Sequence, residues 1–254
     1  MGFFIGAFIF IFGLNVGSFL NVCICRFPKD ESILWPSSHC PKCNHRLVFF
    51  DLIPILSFLF LAGRCRYCKE KISFRYPVVE FLTALTFLLL YVYFGLTWRL
   101  IFYFIFSAIL IVVSFTDLET YTIHDFFNYL GIVVGLLFSF LNGNIFDSIY
   151  GAVIGGLIFF LIRFIGSLIF KREAMGEGDV FLAIMIGAFL GLKGVILTSY
   201  MSFIIGGIVS LFLILMRKKN IVEKIPFGPY LSIAAVIYIF FGVQILKIYF
   251  SLLF

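Results

Sequence analysis

The chain has 254 residues, 63% of them hydrophobic, 20% aromatic and only 13% charged, with a mean hydropathy of +1.14 and a net charge of +6. Those fractions lie far from the averages of soluble domains and exclude one. They describe a polytopic membrane protein, whose positive balance is explained by topology and by anionic lipid headgroups without a nucleic-acid partner.

A helix needs roughly 20 apolar residues to cross a hydrocarbon core of about 30 Å. Eight stretches qualify, at roughly 2-22, 77-95, 99-116, 126-142, 147-170, 180-196, 198-216 and 229-252. They are continuously apolar rather than alternating, which predicts an all-α polytopic fold of about eight transmembrane helices and disfavours a β-barrel. The first stretch has no basic n-region and no obvious small-residue cleavage site, so it reads as a retained span. Asn15, Ser18 and Asn21 interrupt it; they serve interhelical hydrogen bonds or are tolerated near the interface.

The next segment, Val22 to Tyr76, carries nine of the 19 basic residues and is expected in the cytoplasm. In the eight-span arrangement Lys171, Arg172, Arg217, Lys218, Lys219 and Lys224 fall on the same side, fifteen of 19 in all, and Arg99 falls opposite. Arg163, Lys193 and Lys247 lie within or near spans. Both termini are then outside, and the chain divides into a first span (1-22), a cytoplasmic loop (23-76) and a transmembrane domain (77-254) expected to carry the chemistry.

Inside the loop, Cys40-Pro41-Lys42-Cys43 and Cys65-Arg66-Tyr67-Cys68 form two C-x-x-C knuckles separated by 21 residues. The pattern is that of a small zinc-ribbon-like site, although the spacer is slightly long. Four thiolates close a tetrahedral shell with no open position, so Zn2+ held by Cys40, Cys43, Cys65 and Cys68 would be structural. A cytoplasmic location disfavours disulfides. Cys23 and Cys25 lack the knuckle spacing and read as small interfacial residues in preference to ligands, with lipidation as a further alternative. His45 is expected on the solvated ribbon surface. Between the knuckles Val48 to Gly63 is apolar but broken by Asp51 and Pro54; too short to span, it suits a re-entrant or interfacial segment.

Asp117 closes the third predicted span, and Asp179 follows Gly176-Glu177-Gly178 at the start of the sixth. The arrangement brings both to the cytoplasmic face, where they can meet. Ionisable groups in membrane segments are costly and mostly functional. Two carboxyl groups a few ångströms apart share a proton, so one can activate water while the other donates to a scissile carbonyl. The bland readings are an N-cap for Asp179 and an ordinary span-ending residue for Asp117. Glu80 either faces a polar cavity or snorkels. Glu119 and Asp125 stand outside the pair, with Asp125 expected to cap the fourth span.

These motifs together resemble the type IV prepilin peptidases, bifunctional leader peptidase/N-methyltransferases of the Gly-x-Gly-Asp aspartyl protease class. The resemblance runs through Gly17-Ser18-Phe19-Leu20-Asn21-Val22, the two knuckles, Ile72-Ser73, Arg75-Tyr76-Pro77, Val79-Glu80, Asp117-Leu118, Ile123-His124-Asp125 and Gly176-Glu177-Gly178-Asp179-Val180. It implies a bacterial inner-membrane aspartyl endopeptidase that cuts the basic leader from prepilins or pseudopilins after a glycine at the cytoplasmic face, with Asp117 and Asp179 as its dyad. It further implies methylation of the new N-terminal residue from S-adenosylmethionine, an activity linked to the cysteine-bearing loop. No Rossmann-type glycine fingerprint marks a methyl-donor site. Two departures from the family pattern are His124, where proline is frequent, and Phe181, where lysine is frequent. The rival readings are a proton-coupled transporter using its intramembrane carboxylates, and a peptidase without methyltransferase activity.

Overall fold

The computed structural model describes residues 2–171, 173, 175–216 and 225–253, and all regular structure among them is helical. The helices are α1 (Gly2–Arg26), α2 (Leu56–Phe60), α3 (Arg75–Phe94), α4 (Trp98–Thr120), α5 (Asp125–Leu141), α6 (Ile145–Phe170), α7 (Glu177–Leu215) and α8 (Gly228–Leu253). Six of them, α1, α3, α4, α6, α7 and α8, are long and apolar enough to cross a membrane, and the chain is a multi-pass membrane protein. Of the predicted inside cations, Arg172, Arg217, Lys218, Lys219 and Lys224 lie outside the described residues.

The helix count departs from the predicted eight spans in two places. The predicted fourth span is α5, apolar but only 17 residues long. The predicted sixth and seventh spans run together as α7, whose 39 residues break at Gly191 (φ 72°, ψ −174°) and not near residue 197. An unbroken helix of that length would measure about 58 Å, nearly twice a hydrocarbon core. The break is hidden in the sequence because Leu190-Gly191-Leu192 is apolar and its support is remote. Asp147 Oδ1 accepts from the Leu192 amide at 3.4 Å, while the hydroxyls of Ser148 and Ser139 donate to the freed Ala188 carbonyl. Side chains thus re-satisfy backbone groups that lipid cannot.

The chain forms two units, Met1–Val112 and Val113–Phe254. In the first, α1 packs along α3 through Gly13 and Gly17. A Cβ at either position would lie 2.6 Å from the Cα of Ala84 or Glu80, so this small-xxx-small pair lets the backbones nearly touch. Asn21 Nδ2 donates to the Tyr76 carbonyl at 3.0 Å, and Ser18 hydrogen-bonds the Glu80 carboxylate. Asn15 does not join them; it is exposed and donates to Ile11 O of its own helix. Glu80 does not snorkel: it is buried and Oε2 accepts from the Ile55 amide at 2.8 Å. Cys23 is buried, and Cys25 Sγ lies 2.7 Å from Arg75 Nη2.

In the second unit α7 is central. Its Ala183–Gly191 stretch is packed so tightly on α6 that a Cβ at Gly155 would lie 2.7 Å from Ala183 O. On another side α5 stacks Phe138 on Phe189, with ring centroids 4.8 Å apart, and α8 sets Tyr230 against Gly206. The start of this central helix is where Asp179 stands.

Candidate active site

Asp117 sits in the last turn of α4, and the helix ends three residues later at Thr120. Its side chain is buried, and Oδ2 accepts a 2.9 Å hydrogen bond from the amide of Gly228, the first residue of α8. A helix N-terminus presents unpaired N–H groups and partial positive charge, so it favours a carboxylate there.

Asp179 is the third residue of α7 and is buried as well. It is not the N-cap. Gly176 holds that position, and the Asp179 carboxylate accepts from the Gly176 amide, the reciprocal half of a capping box. Its Oδ1 is buried and has no hydrogen-bond partner among the described residues. Asp117 lies within Coulombic reach of Asp179. Two helix N-termini therefore each hold a buried carboxyl group, and the two groups are close enough to interact electrostatically.

Ile123 ties the site together. A Cβ on Gly178 would come within 2.7 Å of Ile123 Cβ, and one on Gly228 within 3.3 Å of Ile123 Cδ1. Gly178 thus serves close approach of the turn to Ile123. Glu177 itself points away and pairs with Arg163 of α6, Nη2 to Oε1 at 2.7 Å, partly exposed.

In the first unit the four knuckle cysteines converge, with all sulfur atoms within 4.8 Å of one another. Each knuckle closes alike. The Cys40 amide donates to His45 O and the Cys65 amide to Glu70 O, while Asn44 and Lys69 take positive φ at matching positions. Cys40 Sγ and Cys68 Sγ are 3.8 Å apart, the edge of a tetrahedron with metal–sulfur arms of about 2.3 Å. Burial opposes ionisation of Cys40, but hydrogen bonds from the Cys43 and Lys42 amides and from neighbouring thiols outweigh it and bring it down to about 7. The Glu70 amide favours a Cys68 thiolate, yet desolvation and the sulfurs of Cys65, Cys43 and Cys40 push it up to about 12. Four such sulfurs ionise together only around a cation, and the donor set fits a structural metal. His45 is exposed and lies against the Tyr67 ring.

Residues 11–94 match the model of the bacterial peptidase A24 N-terminal domain, and residues 104–211 that of the type IV leader peptidase family. A prepilin leader peptidase/N-methyltransferase of Aeromonas salmonicida (strain A449) is 34% identical over 270 residues, covering 96% of this chain and 93% of the relative. The chain belongs to the type IV leader peptidase family. A Pseudomonas aeruginosa protein of the same name is 33% identical over 269 residues, 94% of this chain and 91% of the relative. One from Myxococcus xanthus reaches 41% identity over 209 residues, 80% of this chain, but the match spans only 62% of that relative's length. No solved structure matches.

Both departures from the leader peptidase pattern have local roles. His124, and not Asp125, caps α5, its Nδ1 accepting from the Phe126 amide at 3.3 Å. Phe181 packs edge-on against Tyr129. Two neighbours of the carboxylates, Gly228 and Asn128, escaped the sequence reading, and Ile123 entered it only within the Ile123-His124-Asp125 motif, without a role. Gly228 and Ile123 carry no chemical signal. Asn128 does: it is fully buried in apolar α5 and donates to Gly178 O at 3.3 Å, and a lone amide in such a helix marks a polar contact.

Proposed function

We propose that this chain is a membrane aspartyl endopeptidase that removes the leader from prepilins or pseudopilins after a glycine and methylates the new N-terminal residue. The observation that carries the peptidase half is that two buried carboxyl groups, Asp117 and Asp179, stand at the starts of α8 and α7 within electrostatic reach of each other. The names of the relatives, leader peptidase and N-methyltransferase, support both halves. They lend nothing to a proton-coupled transporter, and they favour a bifunctional enzyme over a peptidase alone.

In the proposed reaction the dyad holds one proton. The ionised carboxylate takes a proton from water as its oxygen attacks the carbonyl carbon of the scissile peptide, while the protonated partner donates to the carbonyl oxygen. The tetrahedral intermediate then collapses: the C–N bond breaks, the leaving amine gains a proton from the dyad, and the leader departs with a new carboxyl terminus. The Gly228 and Gly176 amides hold the two carboxyl groups in place throughout, at no reorganisation cost.

Cys40, Cys43, Cys65 and Cys68 are proposed to bind structural Zn2+, which would fix the loop of residues 23-76 without taking part in either reaction. S-adenosylmethionine supplies the methyl group. The described residues contain no strand, hence no strand–turn–helix cradle for it, and no residue is assigned to it. The proposed placement is the bacterial inner membrane, with the active site on the cytoplasmic face and eight crossings. Two of the eight would be α5 and the 14 residues of α7 before Gly191, both short and packed together. The test is mass spectrometry of a prepilin incubated with the purified protein and S-adenosylmethionine. A product lacking its leader and carrying one N-terminal methyl group supports the assignment; an uncut prepilin overturns it, and a cut but unmethylated one removes the second half.

A further inference from the structure

The chain between the two knuckles has its polarity inside out. Phe49, Phe50 and Phe60 are 77%, 69% and 85% exposed, and Leu56 and Leu59 are exposed beside them. Its one acid is turned inward. Asp51 has a side-chain exposure of 3%, pairs with Arg66 Nε at 2.7 Å and accepts from the Val48 amide. A segment facing water does the reverse.

The depth of this segment follows from its tethers. The Ile55 amide donates to Glu80 Oε2, and the Phe58 ring meets Phe74, the residue just before α3, with centroids 5.9 Å apart. Glu80 stands five residues into α3, about 7.5 Å along its axis. With 20 residues α3 measures about 30 Å, the full thickness of a hydrocarbon core, so it has no turn to spare. An α3 that fills the core end to end would hold Glu80 and Ile55 several ångströms below the hydrocarbon edge. A backbone N–H at that depth needs a protein acceptor, which accounts for a buried glutamate in α3 and for Ile55 bending into positive φ (60°) to reach it. Exposed Arg46, Arg64, Lys69 and Lys71 flank the segment in sequence, where lipid phosphates would lie.

We propose that Val48–Phe60 is an in-plane membrane wedge, seated at the boundary of headgroups and acyl chains, that holds the four-cysteine cluster against the bilayer through Asp51–Arg66. A depth of 5–10 Å is typical of such segments. The wedge does not depend on the enzymatic reading, but its use does: it sets the height of the loop at the surface where a freshly cut N-terminus would emerge.

The experiment uses the full chain in phosphatidylcholine/phosphatidylglycerol vesicles, with Trp35 and Trp98 replaced by phenylalanine and one tryptophan introduced by Phe60→Trp, Phe49→Trp or, for reference, Lys71→Trp. The wedge predicts blue-shifted emission from the first two positions, quenching by lipids brominated near the headgroup end of the acyl chain, and protection from aqueous iodide. Lys71→Trp gives the opposite pattern. Iodide quenching without lipid quenching at Phe60 overturns the proposal, and so does protection from both quenchers, which would mean that protein covers the segment. A paired variant, Leu59→Ser with Phe60→Asp, still cuts prepilin but accumulates unmethylated product, with zinc content unchanged as the check on folding. Full methylation by that variant removes the wedge's role. Absence of both activities in the wild type would sink the enzymatic reading and leave the quenching result standing.

Discussion

Gly228→Ala tests the site at its tightest point. An alanine Cβ there would fall 2.9 Å from Asp117 Oδ2 and 3.3 Å from Ile123 Cδ1. Ordinary contacts are near 3.5 Å, so the carboxylate or the start of α8 must retreat by about half an ångström. The bond at risk is the 2.9 Å amide–carboxylate contact, and hydrogen bonds to charged groups contribute about 1.5–3 kcal/mol. If that contribution is made in the transition state, kcat falls by roughly 10- to 150-fold at tenfold per 1.36 kcal/mol. Alanine is the better helix former, so the variant has no backbone reason to lose stability. Cleavage of a purified prepilin in proteoliposomes, followed by product mass, gives kcat and KM, with thermal unfolding as the control. A fall in kcat with KM unchanged is expected, in protein that still unfolds cooperatively at a somewhat lower temperature. Wild-type kcat would show that the Asp117–Gly228 contact plays no part in the working enzyme.

Asn128→Ala removes the bond to Gly178 O and is expected to lower kcat/KM by about 2- to 10-fold, for a neutral hydrogen bond of 0.5–1.5 kcal/mol; an unaltered value would make the amide irrelevant to the turn. Arg163→Gln breaks a partly exposed ion pair of about 0.2–1 kcal/mol, so cleavage should drop no more than about 5-fold. A loss of two orders of magnitude would assign Arg163 to the chemistry. Elemental analysis should find one zinc per chain and a clear loss on Cys40→Ser. With Cys40 near 7 and Cys68 near 12 before metal binds, adding zinc to stripped protein should release protons, and retention should weaken as pH falls, because the thiols regain their protons. Uptake without proton release would contradict a thiolate shell.

The parts of the molecule legible in sequence are those written in local pattern. Continuous apolar runs announce helices, two C-x-x-C turns announce a sulfur cluster, and Asp117 and Asp179 stand out because charge is rare in such runs. What escaped depends on partners distant in sequence. The break at Gly191 is held by Asp147 and Ser148 from another helix, so no local signal separates it from the other glycines of α7. The Gly13/Gly17 seam is visible as a spacing, but its partner α3 is not. His124 took the cap expected of Asp125 because its ring nitrogen reaches the Phe126 amide, a geometry that residue preference does not decide. Gly228 carries no chemistry of its own and matters only because α8 begins where α4 ends.

The most direct measurement is cleavage of a prepilin by the wild type, Asp117→Asn and Asp179→Asn at equal amounts of folded protein in liposomes. Asparagine keeps size and shape while removing the ionisable group from the pair. Loss of leader removal in both variants is the predicted result. Undiminished cleavage by either one would contradict the shared-proton dyad and with it the assignment of this site.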